Sequence, residues 1–168
     1  IGDDDYLVPK SLLKGVLFLK THPEYCTAQG KGIVFSLDRK GAYGNIESLG
    51  EYQLKDNELE TSSERLMLYL KEGWNSEFSV HRTKEFIQAC EKRDILPDSG
   101  ICETLSNSVT FIQGKSKQID CLYLFRQVHP KRHLNSAFLE RLTSPNWYPS
   151  YKIYLQQITK ALEKYEGL

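Results

Sequence analysis

Residues 3–35, DDDYLVPKSLLKGVLFLKTHPEYCTAQGKGIVF, carry most of the information about the fold. Three adjacent carboxylates lead into a proline-started apolar run, a His-Pro turn, and a second apolar run set between glycines. Leu12, Leu13, Val16, Leu17 and Lys20 keep a 3.6-residue period, and Pro9 suits a first helical position, where its missing N–H costs nothing. The spacing therefore predicts a helix from Pro9 to Thr21, ended at His22-Pro23. KGIVFSL, residues 31–37, predicts a buried strand. Side chains alternate in an extended segment, so Asp3 and Asp5 converge while Asp4 points away. Their repulsion is offset either by a hard cation such as Mg2+ or Mn2+, with phosphate oxygens completing its shell, or by the dipole of the helix that follows.

Downstream, residues 38–58 are rich in Gly, Asn and charge and predict a loop of the kind that covers sites. SSERLMLYLKEG predicts a Ser-capped helix ending at Gly73, with Leu66, Met67 and Leu70 on its apolar face. FSVHR reads as a short strand, and TKEFIQACEKR as a helix burying Phe86, Ile87 and Cys90. Beyond the LPDSG turn, Ile101, Leu105, Val109 and Ile112 trace one helical face, which puts Glu103 on another face in the first turn. KQIDCLYLFRQ predicts a strand. The last segment repeats Tyr151, Tyr154, Leu155, Ile158, Leu162 and Tyr165, a long apolar stripe expected to pack on its own domain; the alternative cover is a bilayer met by Lys152, Lys160 and Lys164. Alternating helix and strand predicts an α/β architecture.

The 168 residues suit one domain, and 40% hydrophobic with 26% charged residues excludes a disordered chain. Lys+Arg 22 against Asp+Glu 22 leaves no basic field for general nucleic-acid binding. Cys26, Cys90, Cys102 and Cys121 have no CxxC spacing and read as reduced thiols of a cytoplasmic protein. No signal peptide and no apolar run of about 20 residues is present, so membrane contact is at most peripheral. The single methionine, Met67, and an opening in mid-motif at Ile1 lead to the expectation of a piece of a longer protein.

Three blocks extend the reading: the opening stretch, NSEFSVHRTKEF (residues 75–86), and LPDSGICETLSNSVTFIQGKSKQIDCLYLFRQVHP (residues 96–130). In that order they resemble GT-A-fold bacterial glycosyltransferases related to family 2, from the DxD-type motif onward, over residues 1–133, with 134–168 as a helical extension. The resemblance implies the C-terminal part of a GT-A-like domain. It implies metal-dependent sugar transfer from a nucleotide-diphospho-sugar to a saccharide or lipid-linked acceptor, by inversion, in the cytoplasm or at the inner face of the membrane. Matched residue by residue, it implies Asp3, Asp5 and His129 for the metal, Asp3, Asp4 and Arg126 for the donor, and Glu103 as the base that deprotonates the acceptor. Here Glu103-Thr104 stands where a Glu-Asp pair is commoner, so Asp98 is the second candidate. His81, Arg82 and Trp74 are expected on the acceptor side. Bland readings stand beside these: Glu103 as a helix-dipole partner, the basic turn RQVHPKRH as solvated surface, His81 as a hydrogen-bonded structural residue, Trp74 as packing. Two other function classes stay open, a different metal-dependent nucleotide or phosphoryl transferase and a non-catalytic carbohydrate-binding module. If the transferase reading holds, the carboxylates should lie at the carboxyl end of a strand, with Glu103 and His129 opening on the same cleft.

Overall fold

The computed structural model describes residues 5–39, 43–128 and 138–167. Among them is one mixed sheet. β1 (Asp5–Leu7) pairs antiparallel with β5 (Lys115–Val128), and β5 pairs parallel with β2 (Tyr25–Leu37). β2 then carries two antiparallel partners, β4 (Val80–His81) at its inner end and β3 (Ile46–Tyr52) along its outer half. A parallel pair needs a long crossover. Here it holds α2 (Ser62–Glu72), α3 (Thr83–Cys90) and α4 (Ser99–Gln113). The chain is therefore α/β, as its alternating pattern implied.

α1 (Pro9–Thr21) has the bounds its sequence predicts, with proline at its start and the His22 N–H returning to the Phe18 carbonyl at 3.1 Å. α2 is capped by Thr61 rather than a serine: the Thr61 hydroxyl accepts from the Glu64 N–H, and the Glu64 carboxylate accepts from the Thr61 N–H. This reciprocal cap satisfies two of the N–H groups a helix start leaves open. Gly73 ends α2 at φ 64, a left-handed conformation that glycine adopts without strain. The segment expected to be a loop contains β3 instead, an exposed edge ribbon. The face of α3 is also rotated from expectation, since Ile87 is 61% exposed and Ala89 takes the buried position.

Two apolar clusters hold the layers together. Leu66 and Tyr69 of α2, Trp74, Ile101, Leu105, Phe111 and Ile112 of α4, and Tyr154 and Ile158 of α6 (Trp147–Glu166) form the larger. Each such side chain, fully buried, contributes about 1.5–3 kcal/mol. The stripe on α6 is thus covered by its own domain, although Leu155 stays exposed. The smaller cluster, Leu54, Phe78, Tyr123 and Leu124, lies against the sheet. Between the halves of β2 and β5 the register shifts around Lys31, and a Cβ at Gly30 would run into the Cys121 carbonyl. All four cysteines are free thiols. No helix among the described residues is long and apolar enough to cross a membrane.

Candidate functional site

A cleft of about 460 Å³ opens between the start of α4 and the segment that follows β3. Tyr52 and Lys55 line one side, and Trp74, Asn75, Glu103 and Asn107 another, with Arg141 of α5 (Phe138–Leu142) at its edge. Helical spacing explains the α4 contribution: Glu103 and Asn107 are four residues apart and share a face, while Ile101, Leu105 and Ile112 turn into the core.

Asn107 fixes the wall. Its carbonyl oxygen accepts from the Ser76 N–H at 2.7 Å and from the Ser76 hydroxyl at 2.6 Å, and its amide donates to the Glu103 carbonyl at 2.9 Å. The neighbouring Asn75 amide is thereby held to donate to the Glu103 carboxylate at 2.6 Å. Although the Glu103 side chain is exposed at the cleft, reduced hydration between the walls raises its pKa, and the nearby negative Glu77 raises it further. Arg93, Arg126 and Arg141 act in the opposite direction. All three cations already face carboxylates elsewhere, Arg93 bonding Glu77 at 2.9 Å, Arg141 lying 3.3 Å from Asp98 and Arg126 3.6 Å from Asp5. What remains at Glu103 is a carboxylate with an uncharged donor and an upward-shifted pKa.

Arg126 sits on β5 opposite Asp5, the two being register partners in the β1–β5 pair. Its guanidinium lies over the Tyr52 and Phe78 rings, 5.0 and 4.5 Å from their centroids, and donates to the Tyr52 hydroxyl at 2.6 Å. Its Nε is 3.6 Å from the buried Asp5 carboxylate. Asp5, Arg126 and Tyr52 therefore run in sequence from β1 to the cleft wall. Asp5 is the first of the described residues and already belongs to β1.

The other expected residues divide clearly. Trp74 lines the cleft but is 7% exposed, packed against Tyr69 and Phe111, and its indole N–H has no hydrogen-bond partner among the described residues. Asp98 is structural: it caps α4 by accepting from the Ile101 N–H at 2.8 Å, and its own N–H donates to Ser150 at 3.1 Å. Arg82 is also structural, since it donates to the carbonyls of Tyr25, Leu19 and His22 and so ties down the end of α1. His81 donates from Nε2 to the Ser76 carbonyl at 2.7 Å, and burial pushes its pKa down against the opposing effect of that hydrogen bond. Neither His81 nor Arg82 lines the cleft. Asp3, Asp4 and His129 lie outside the described residues. Among the described residues no three His, Cys, Asp or Glu side chains gather as a metal site; Asp5 alone of the expected ligands is there, a hard-oxygen donor of the kind Mg2+ or Mn2+ takes. Asn75, Asn107 and Tyr52 are site residues the sequence did not single out. The four-residue step from Glu103 to Asn107 was the available signal.

No protein-family model matches this chain, and neither the curated proteins nor the solved structures give a match.

Proposed function

We propose that this chain is the acceptor-side part of a GT-A-like glycosyltransferase, in which Glu103 removes the proton from an acceptor hydroxyl as a sugar leaves its nucleotide diphosphate. The observation that carries the reading is Glu103 itself: a carboxylate of raised pKa, oriented by Asn75, in a cleft walled by tyrosine, tryptophan and amide groups. A general base works best when its pKa lies nearer the operating pH than an ordinary carboxylate's. Aromatic and amide walls suit a polyhydroxyl ligand, which needs both an apolar face and many hydrogen-bond partners. Arg126, held by rings and by Asp5, is the cation on the side where negative charge would develop on the leaving group. Asp5 and Asp3 are the residues that would hold Mg2+ or Mn2+, whose charge would offset that of the departing diphosphate.

The test pairs transfer with binding. A set of nucleotide-diphospho-sugars and saccharide acceptors is assayed for product by mass spectrometry with the full-length protein and with its Glu103→Gln variant. Acceptor binding is followed in parallel by Trp74 fluorescence in a Trp147→Phe background. Glu103→Gln should lower kcat by about 10²–10⁴-fold while leaving acceptor affinity within about threefold. Undiminished transfer by Glu103→Gln removes it as the base. Saccharide binding with no transfer under any donor favours a carbohydrate-binding module.

A further inference from the structure

The bilayer was the alternative cover for α6, which packs on its own domain as expected, but α1 carries the features that alternative required. Leu13 and Leu17 are 58% and 52% exposed, with Val16 exposed between them. Lys10, Lys14 and Lys20 share the exposed side, and α1 contains no Asp or Glu. The opposite side of α1 packs on the sheet. The Ser11 hydroxyl bonds the Leu122 carbonyl at 2.6 Å, and Leu122, Ile33 and Leu49 line an apolar hollow of about 360 Å³ flanked by Lys31. Two acids lie nearby: Glu51 lines the hollow beside Lys31, and Asp120, paired with Lys31 at 2.6 Å, lies within reach of the Lys14 charge.

We propose that this surface seats the protein on an anionic lipid bilayer. Leu13, Val16 and Leu17 enter the headgroup–acyl boundary, and the lysines meet lipid phosphates. Charge selects this occupant over a second protein surface. Interface cores between proteins are depleted of lysine, whereas helices that lie in a bilayer interface carry lysine beside leucine, the long stem lying along the apolar face and the ammonium reaching outward. None of these residues lines the cleft, and the readout below is binding, so its outcome is separate from that of the transfer assay.

The 168-residue chain is sedimented with vesicles of phosphatidylcholine alone and of phosphatidylcholine mixed with phosphatidylglycerol. Binding is expected only to the mixed vesicles, falling as salt rises. Lys10→Gln/Lys14→Gln/Lys20→Gln should weaken it about a hundredfold, from roughly fivefold for each lysine near an anionic surface. Leu13→Ser/Leu17→Ser, at exposed positions that leave the core untouched, should weaken it at least about tenfold. No binding to mixed vesicles, or equal binding to phosphatidylcholine alone, overturns the proposal. So does a lipid-free dimer, seen by sedimentation velocity, that Leu13→Ser/Leu17→Ser dissolves.

Discussion

Two arginines mark two regions built on opposite rules. Arg65, at the inner end, is 6% exposed and spends its guanidinium on the carbonyls of Leu59, Glu60, Phe111 and Ile112 and the Ser62 hydroxyl. Around it Gln29, Asn57 and Ser116 are buried with fixed partners: Gln29 donates to the Lys55 carbonyl, and Asn57 to that of Arg65. Burial lowers the pKa of Arg65, and the ring of carbonyls compensates the lost water. Arg126, at the outer end, has ring faces, one hydroxyl and a carboxylate beside an open cleft. A cation saturated by carbonyls serves the scaffold. Arg126, held by ring faces and one carboxylate, keeps 20% of its side chain exposed.

The strongest way to break that contrast is at the hub. Arg65→Ala leaves several buried carbonyls without donors and should cost about 4 kcal/mol or more, measured by urea unfolding. A loss below about 1 kcal/mol would mean water replaces the guanidinium there, and the two regions would no longer differ in kind. Arg82→Gln should cost about 2 kcal/mol, since three carbonyls near the end of α1 lose donors, with acceptor affinity unchanged. A selective loss of affinity would return Arg82 to the acceptor site.

Asp98 sharpens the comparison at intermediate size. Asp98→Ala should cost about 1–2 kcal/mol, and Asp98→Asn should recover most of it because asparagine caps nearly as well. A base could not be replaced by an amide, so transfer lost in Asp98→Asn at full stability would reassign the proton acceptor. The smallest effect lies in Glu77. A base must be ionised, so activity falls as pH drops through the Glu103 pKa, which sits above the ordinary 4.5. Glu77→Gln removes a like charge, lowers that pKa, and should move the acid limb of the kcat/KM profile to lower pH. A limb that stays in place would separate the titrating group from Glu103.

Periodicity made α1 and α4 legible as helices, and on α4 also the face on which Glu103 stands, because α4 turns its apolar stripe inward; α1 instead buries Ser11, Gly15 and Leu19 and leaves Leu13, Val16 and Leu17 exposed. β3 was hidden by its composition: IESLGEY is an exposed edge strand, and edges favour the charged and small residues that also mark loops. Arg82 and His81 were read toward the acceptor for want of any local sign of their partners. The Arg82 carbonyls belong to residues 19, 22 and 25, joined only by tertiary packing. Arg65 sits in a helical pattern whose period alone cannot distinguish a surface arginine from a buried hub.

The order of pairing in the sheet has a consequence during synthesis. β1 emerges from the ribosome more than a hundred residues before β5, yet among the described strands it pairs only with β5. β2 likewise waits for β5 along one whole side. Until residue 128 has left the exit tunnel, the paired edge of β2 and the inner face of α1 lack their cover, a delay of several seconds at ordinary elongation rates of about 5–20 residues per second. Such long-range closure is slow relative to helix formation, so the helices between β2 and β5 have time to assemble first. A chain arrested on the ribosome just before β5 should present α1 and β2 as a binding site for chaperones that recognise apolar strands, and release them when β5 arrives.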